Sequence, residues 1–117
     1  MKACVLRAAA RIETNPLEFA DVPIPQPGKG EVLVRVNFCG VCRTDLHVVE
    51  GDLPPRKSPV IPGHQVVGTI EKCGEGAQRF RTGARVGIAW LHSTDQTCEY
   101  CRAGMENLCD HPEFTGY

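Results

Sequence analysis

Three cysteines in a stretch with almost no apolar content constrain this chain more than any other feature. Cys98 and Cys101 form a C-x2-C pair, and Cys109 follows after seven intervening residues. The surrounding segment, His92 to Pro112, shows no hydrophobic periodicity and cannot order itself by burying an apolar face. Something else must offset its conformational entropy, and bound metal is the constraint that this donor set supplies. Two thiolates at this spacing hold one tetrahedral Zn²⁺ from a tight turn, with the third arriving after a turn at Gly104. A closed site needs a fourth ligand. Asp95 lies two intervening residues before Cys98, repeating the ligand spacing, and a carboxylate oxygen is an accepted zinc donor. His92 and His111 are the rival fourth ligands, and a reduced, metal-free loop is the bland alternative. The expected zinc lobe spans about 91–113.

The other cysteines bear on the compartment. Seven in all is an odd number, and no long apolar leader follows Met1, so a complete disulfide framework is disfavoured. Clustered thiols in a reducing setting point to metal or catalysis, and the expected location is cytoplasmic. Cys4 and Cys73 stand alone and are expected as small side chains in or near a core. Reading Cys39-x2-Cys42 as a redox dithiol fails for want of a thioredoxin-like βαβ setting, and Cys39 is better placed at a strand end. A length of 117 residues fits one domain, and a net charge of -1 gives no footprint for nucleic acid or an anionic membrane. No apolar run approaches the roughly 20 residues of a membrane span.

Short β-prone runs fill the first 90 residues: 3–6, 17–22, 31–38, 66–72 and 86–90. Val32, Val34, Val36 and Phe38 alternate at period two, as a half-buried strand requires. Between Thr44, a good N-cap, and Gly51, the spacing of Leu46 and Val49 predicts a short helix. Many short strands with one helix indicate a mainly β fold, a small barrel or sandwich. Gly74-x-Gly76 lacks the last glycine of a nucleotide fingerprint, because Arg79 occupies that place, and reads as a turn.

A second set of chemistry-bearing residues is Cys42-Arg43-Thr44-Asp45-Leu46-His47, joined to Gly63-His64-Gln65. Cys42 lies where strand gives way to helix. Thr44 and His47 are three apart and share a helix face. Asp45 is placed to orient an imidazole such as His64 and fix its tautomer. Singly each residue is weak; as an ordered set they indicate a site.

These two motifs, with Gly104 and Glu106-Asn107-Leu108 between the last cysteines, resemble the zinc-dependent medium-chain alcohol dehydrogenases, in order from near Met1 to Tyr117. The resemblance implies a GroES-like β-barrel catalytic domain over 1–117, incomplete and lacking the Rossmann cofactor domain that follows it in the family. It implies one catalytic zinc on Cys42 and His64, with a third cysteine from beyond residue 117, and one structural zinc on Asp95, Cys98, Cys101 and Cys109. Alcohol dehydrogenase is a named reference case for a catalytic zinc on two cysteines and a histidine, so that assignment rests on the likeness alone. It further implies that Thr44 takes the proton of a small alcohol, interconverted with an aldehyde or ketone, and passes it through the cofactor ribose to His47. Arg43 would contact the pyrophosphate of NAD or NADP, and the full-length protein would be a homo-oligomer with no nucleic-acid or membrane partner. The chain alone, with at most two catalytic ligands and no cofactor domain, is expected to be inactive. Three departures stand out: Gln65 replaces a usual Glu, Asp95-Gln96 replace Cys-Gly, and Ala84 replaces an Asp. A non-catalytic zinc-binding interaction module on the same barrel is the competing reading. Thr44 with His47 tells against it, since such a module needs no proton relay.

Overall fold

A computed structural model describes all residues from Met1 to Tyr117. Seven strands and two short helices follow one another: β1 (Lys2–Leu6), β2 (Leu17–Asp21), β3 (Val32–Gly40), α1 (Arg43–Glu50), β4 (Gln65–Cys73), β5 (Arg85–Ile88), β6 (Leu91–Ser93), α2 (Glu99–Arg102) and β7 (Glu113–Phe114). Single 3₁₀ turns add Ile12–Thr14 and Glu106–Leu108. The class is mainly β, as the short β-prone runs predict. The strands pair antiparallel in three sheets, β1–β2, β3–β4–β5 and β6–β7.

The middle sheet shows how local sequence sets geometry. Along β4 the side chains alternate: Val66, Gly68 and Ile70 point inward while Gln65 and Glu71 face water. Gly68 is required there by space, because a Cβ would meet the Arg35 carbonyl and a Val34 methyl of β3. The expectation of a half-buried β3 holds only for its first half. Val36 and Phe38 are exposed, Phe38 by 74%. A register shift falls here, with Val36 opposite Gly68 and Phe38 opposite Val67 so that Asn37 is skipped, but the exposure has another cause: both faces from Arg35 to Gly40 are left uncovered by the rest of this chain.

The core is small and sits under α1. Leu6, Val48, Val49 and Val60 form one buried cluster, with Leu53 and Tyr117 packed against it. Each such side chain contributes about 1.5–3 kcal/mol of burial. Leu6 and Val60 exchange backbone hydrogen bonds of 2.8 and 3.0 Å, which ties the proline-rich segment after α1 to β1. The inner face of α1 is thereby fixed against β1, and its N-terminal turn is held in place.

Two local expectations are corrected. The helix begins two residues early, with Cys42 and not Thr44 at the N-cap. Its first turn is closed by Asp45, whose Oδ2 accepts the Cys42 N–H at 2.8 Å. Cys4, expected near the core, is exposed, because β1 buries Val5 and Leu6 in succession; Cys73 is half-buried.

Candidate metal centres

The lobe from Leu91 to Phe114 folds around sulfur. Asp95, Cys98, Cys101 and Cys109 bring one donor atom each to within 4.8 Å of the others. Two devices arrange them. The Asp95 Oδ1 accepts the N–H groups of Thr97 and Cys98 at 2.8 and 2.9 Å, which leaves Oδ2 available to a metal. Those backbone donors hold its carboxyl far below the usual carboxylate range. The sulfurs in turn accept backbone N–H groups: Cys98 from Cys101, and Cys109 from Asp95 and His111. Backbone donors lower the Cys98 thiol, whereas burial pushes the Cys101 thiol up to about 12. One hard and three soft donors in this arrangement fit a tetrahedral zinc, which would neutralise the crowded thiolates. His92 and His111 lie outside the group; His92 is exposed along a separate cleft beside Lys29 and Phe80.

The second group forms where β3 runs into α1 and meets the Gly63 turn. Cys42 Sγ lies 3.2 Å from His64 Nε2. On the other side of the imidazole, His64 Nδ1 lies 3.0 Å from Asp45 Oδ1. Asp45 thus uses both oxygens, one on the helix N-terminus and one on His64. With Nδ1 donating to Asp45, Nε2 presents its lone pair toward the Cys42 sulfur, the tautomer a metal ligand needs. Asp45 and His64 are both buried, and Cys42 is half-buried. Cys42 and His64 open onto a pocket of about 710 Å³ whose walls include Thr44, Leu53, Gln65, Ile88 and Trp90.

Comparison with known proteins fits this geometry. Residues 28–117 match the family described as "Alcohol dehydrogenase GroES-like domain". The chain belongs to that family. It is 49% identical over its whole length to a Mycobacterium tuberculosis protein described as "Probable alcohol dehydrogenase AdhA", and 46% identical to an alcohol dehydrogenase of Geobacillus stearothermophilus. It covers 35% and 34% of those two proteins, so it spans about a third of the length of its relatives. Among solved structures, a cobalt- and zinc-bound thermostable alcohol dehydrogenase from Pyrobaculum aerophilum superposes with a TM-score of 0.89. That pair shares 28% identity over 99% of this chain and 35% of the other.

Within this alcohol dehydrogenase domain the remaining residues of the motif diverge in position. Thr44 lines the pocket, but His47 does not; its Nδ1 lies 2.8 Å from Asp52 Oδ2, across the Gly51 turn that ends α1. Arg43 is exposed on the first turn of α1. Gln65 is exposed at the pocket edge, against Gly40. Sequence reasoning missed Asp52, Leu53, Ile88 and Trp90. Trp90, the chain's one tryptophan, had a signal, since a lone large aromatic after a strand and before a polar lobe suggests a wall. Asp52 had none, because its pairing with His47 depends on the Gly51 turn.

Proposed function

We propose that this chain is the catalytic part of a zinc-dependent alcohol dehydrogenase. In the whole protein it would interconvert small alcohols with aldehydes or ketones, by hydride transfer to NAD or NADP bound mainly by residues outside this chain. The observation that carries the proposal is the Cys42–His64–Asp45 group, with a thiol and a correctly presented imidazole 3.2 Å apart beside the Thr44 pocket. Relatives described as alcohol dehydrogenases, and solved neighbours described as bound to NADP or as NAD-dependent, support it.

Zinc held by Cys42 and His64 would supply Lewis-acid polarisation of the alcohol oxygen. The chain's own residues do the rest. Asp45 accepts from His64 Nδ1, which directs Nε2 toward Cys42 and fixes the ring plane. Thr44, a hydroxyl able both to accept and to donate, takes the substrate proton inside the pocket. His47, half-exposed on the same helix and held at Nδ1 by Asp52, lies outside the pocket, where its Nε2 would serve as the solvent end of the proton relay. Arg43 reaches outward with a guanidinium suited to a pyrophosphate. Pocket walls of Leu53, Ile88 and Trp90 favour an apolar substrate body. The Asp95–Cys98–Cys101–Cys109 group would hold a second, structural zinc.

The test is made in the whole protein. Cys42→Ala and His64→Ala should abolish alcohol oxidation and lower bound zinc from two to one per chain, while Thr44→Val should lose turnover with both metals kept. Retained turnover in Cys42→Ala would defeat the proposal.

A further inference from the structure

Five side chains join the proline-rich segment after α1 to the wall of the pocket. The Arg56 guanidinium sits over two rings, 5.0 Å from the Phe114 centroid and 5.7 Å from that of Tyr117. Its Nη1 donates to the Pro112 carbonyl at 2.8 Å, just before β7. Phe114 stacks on Trp90, with centroids 4.8 Å apart and planes at 26°, and Tyr117 lies 5.4 Å from the same indole. Trp90 then meets His64 edge-on at 4.8 Å. The backbone joins in: Thr115 N–H donates to the Trp90 carbonyl at 2.9 Å. Gly116, at φ +71°, lies so close to Gly63 that any side chain there would collide with its backbone.

We propose that Arg56 is a positioning residue for the pocket. By capping Phe114 and Tyr117 it holds the 112–117 segment down on the Gly63–His64 turn, and so fixes the tryptophan wall that faces the metal and substrate. The chemistry favours this role. A planar guanidinium gains from two aromatic faces at once and still spends a hydrogen bond on a carbonyl, which an ammonium on a flexible stem does less well. Arg56 lies on the outside of the stack and does not line the pocket. It therefore acts through Trp90, and its effect falls on substrate fit more than on proton transfer. This inference rests on the proposed dehydrogenase function, since substrate fit presupposes the pocket is used.

The experiment compares Arg56→Met, Arg56→Lys and Gly116→Ala with the parent by two readouts. Acrylamide quenching of Trp90 in the zinc-loaded chain reports the wall directly and needs no activity. Arg56→Met should raise the population of the loosened wall about fivefold, Arg56→Lys should restore part of it, and Gly116→Ala should exceed both. In the whole enzyme, Arg56→Met should raise KM for a six-carbon alcohol several-fold with kcat nearly unchanged, and should blunt the preference between long and short alcohols. Unchanged quenching in Arg56→Met overturns the proposal. So does raised quenching with KM and chain-length preference unaltered, which would leave Arg56 a purely structural contact. If instead the parent enzyme oxidises no alcohol, the dehydrogenase reading fails, and quenching alone decides whether Arg56 holds the wall.

Discussion

Asp45→Asn is the sharpest available perturbation, because the substitution is nearly isosteric and the outcome depends on which partners donate. The Asp45 carboxylate faces two donors: the Cys42 N–H at 2.8 Å on Oδ2 and His64 Nδ1 at 3.0 Å on Oδ1. A carboxylate accepts on both oxygens, whereas an amide offers one acceptor and one donor. With the amide in place, one contact must therefore set N–H against N–H, or the imidazole must change tautomer and turn its protonated Nε2 toward Cys42. Leaving one buried donor unsatisfied costs about 1–3 kcal/mol, a large share of the roughly 5–15 kcal/mol by which a domain is stable. Disturbing the group behind a ligating histidine typically weakens metal binding about 10–100-fold. Asp45→Ala strands both donors and should lose more stability than Asp45→Asn. Urea melts report the first quantity, and competition between the whole protein and a chromophoric chelator for cobalt reports the second. An Asp45→Asn protein whose urea midpoint matches the parent, with cobalt affinity within about threefold, would refute the reasoning.

Four further expectations follow from the same geometry. In the lobe, Asp95→Ala should lose the structural zinc, Asp95→Cys should bind it more tightly, and His92→Ala should change nothing; metal analysis of each purified protein decides. In the whole enzyme, Asp52→Asn and His47→Gln should each slow turnover, by no more than the roughly 10²–10⁴-fold that a proton-transfer group supplies, as steady-state rates would report. Leu6→Ala, within a four-residue core, should cost about 2–5 kcal/mol and leave the chain largely unfolded in a thermal melt. With metal stripped, burial holds the Cys101 thiol neutral up to about 12, above its ordinary value of 9.0, so that stabilisation is complete below pH 9 and lost as pH rises through about 12. Urea midpoints of the stripped chain should fall over that window, and a rise would contradict the assignment.

The four-donor cluster of the lobe was more legible in the sequence than the helix start. Ligand spacing is a local property, and the residues from Asp95 to Cys109 meet within one turn-rich segment, as their spacing predicts. The Cys42 cap was not legible in the same way. Thr44 is a better capping residue by type, but Asp45 at the third helical position selects Cys42 by accepting its N–H. The half-exposed β3 was hidden for another reason: alternation predicts a buried face only where another element covers it, and nothing local marks 35–40 as uncovered. Trp90 from the link between β5 and β6, Phe114 of β7 and Tyr117 converge from distant parts of the chain, a contact that no spacing rule encodes.

The two donor groups differ in what must already be packed before their members meet, and that difference sets an order of assembly. Asp95 and Cys109 are fourteen residues apart, so the lobe closes a short loop and can capture its ion as soon as those residues are available. Cys42 and His64 meet only after α1 has docked on Leu6 and Val60, and the Gly63 turn is seated under Gly116. Zinc should therefore enter the lobe while the rest of the chain is still searching, and reach the second group late. A nascent or refolding chain with the lobe already filled presents three fewer loose thiols to oxidation or mispairing. Pulse labelling during refolding in zinc should show Cys98, Cys101 and Cys109 protected before Cys42.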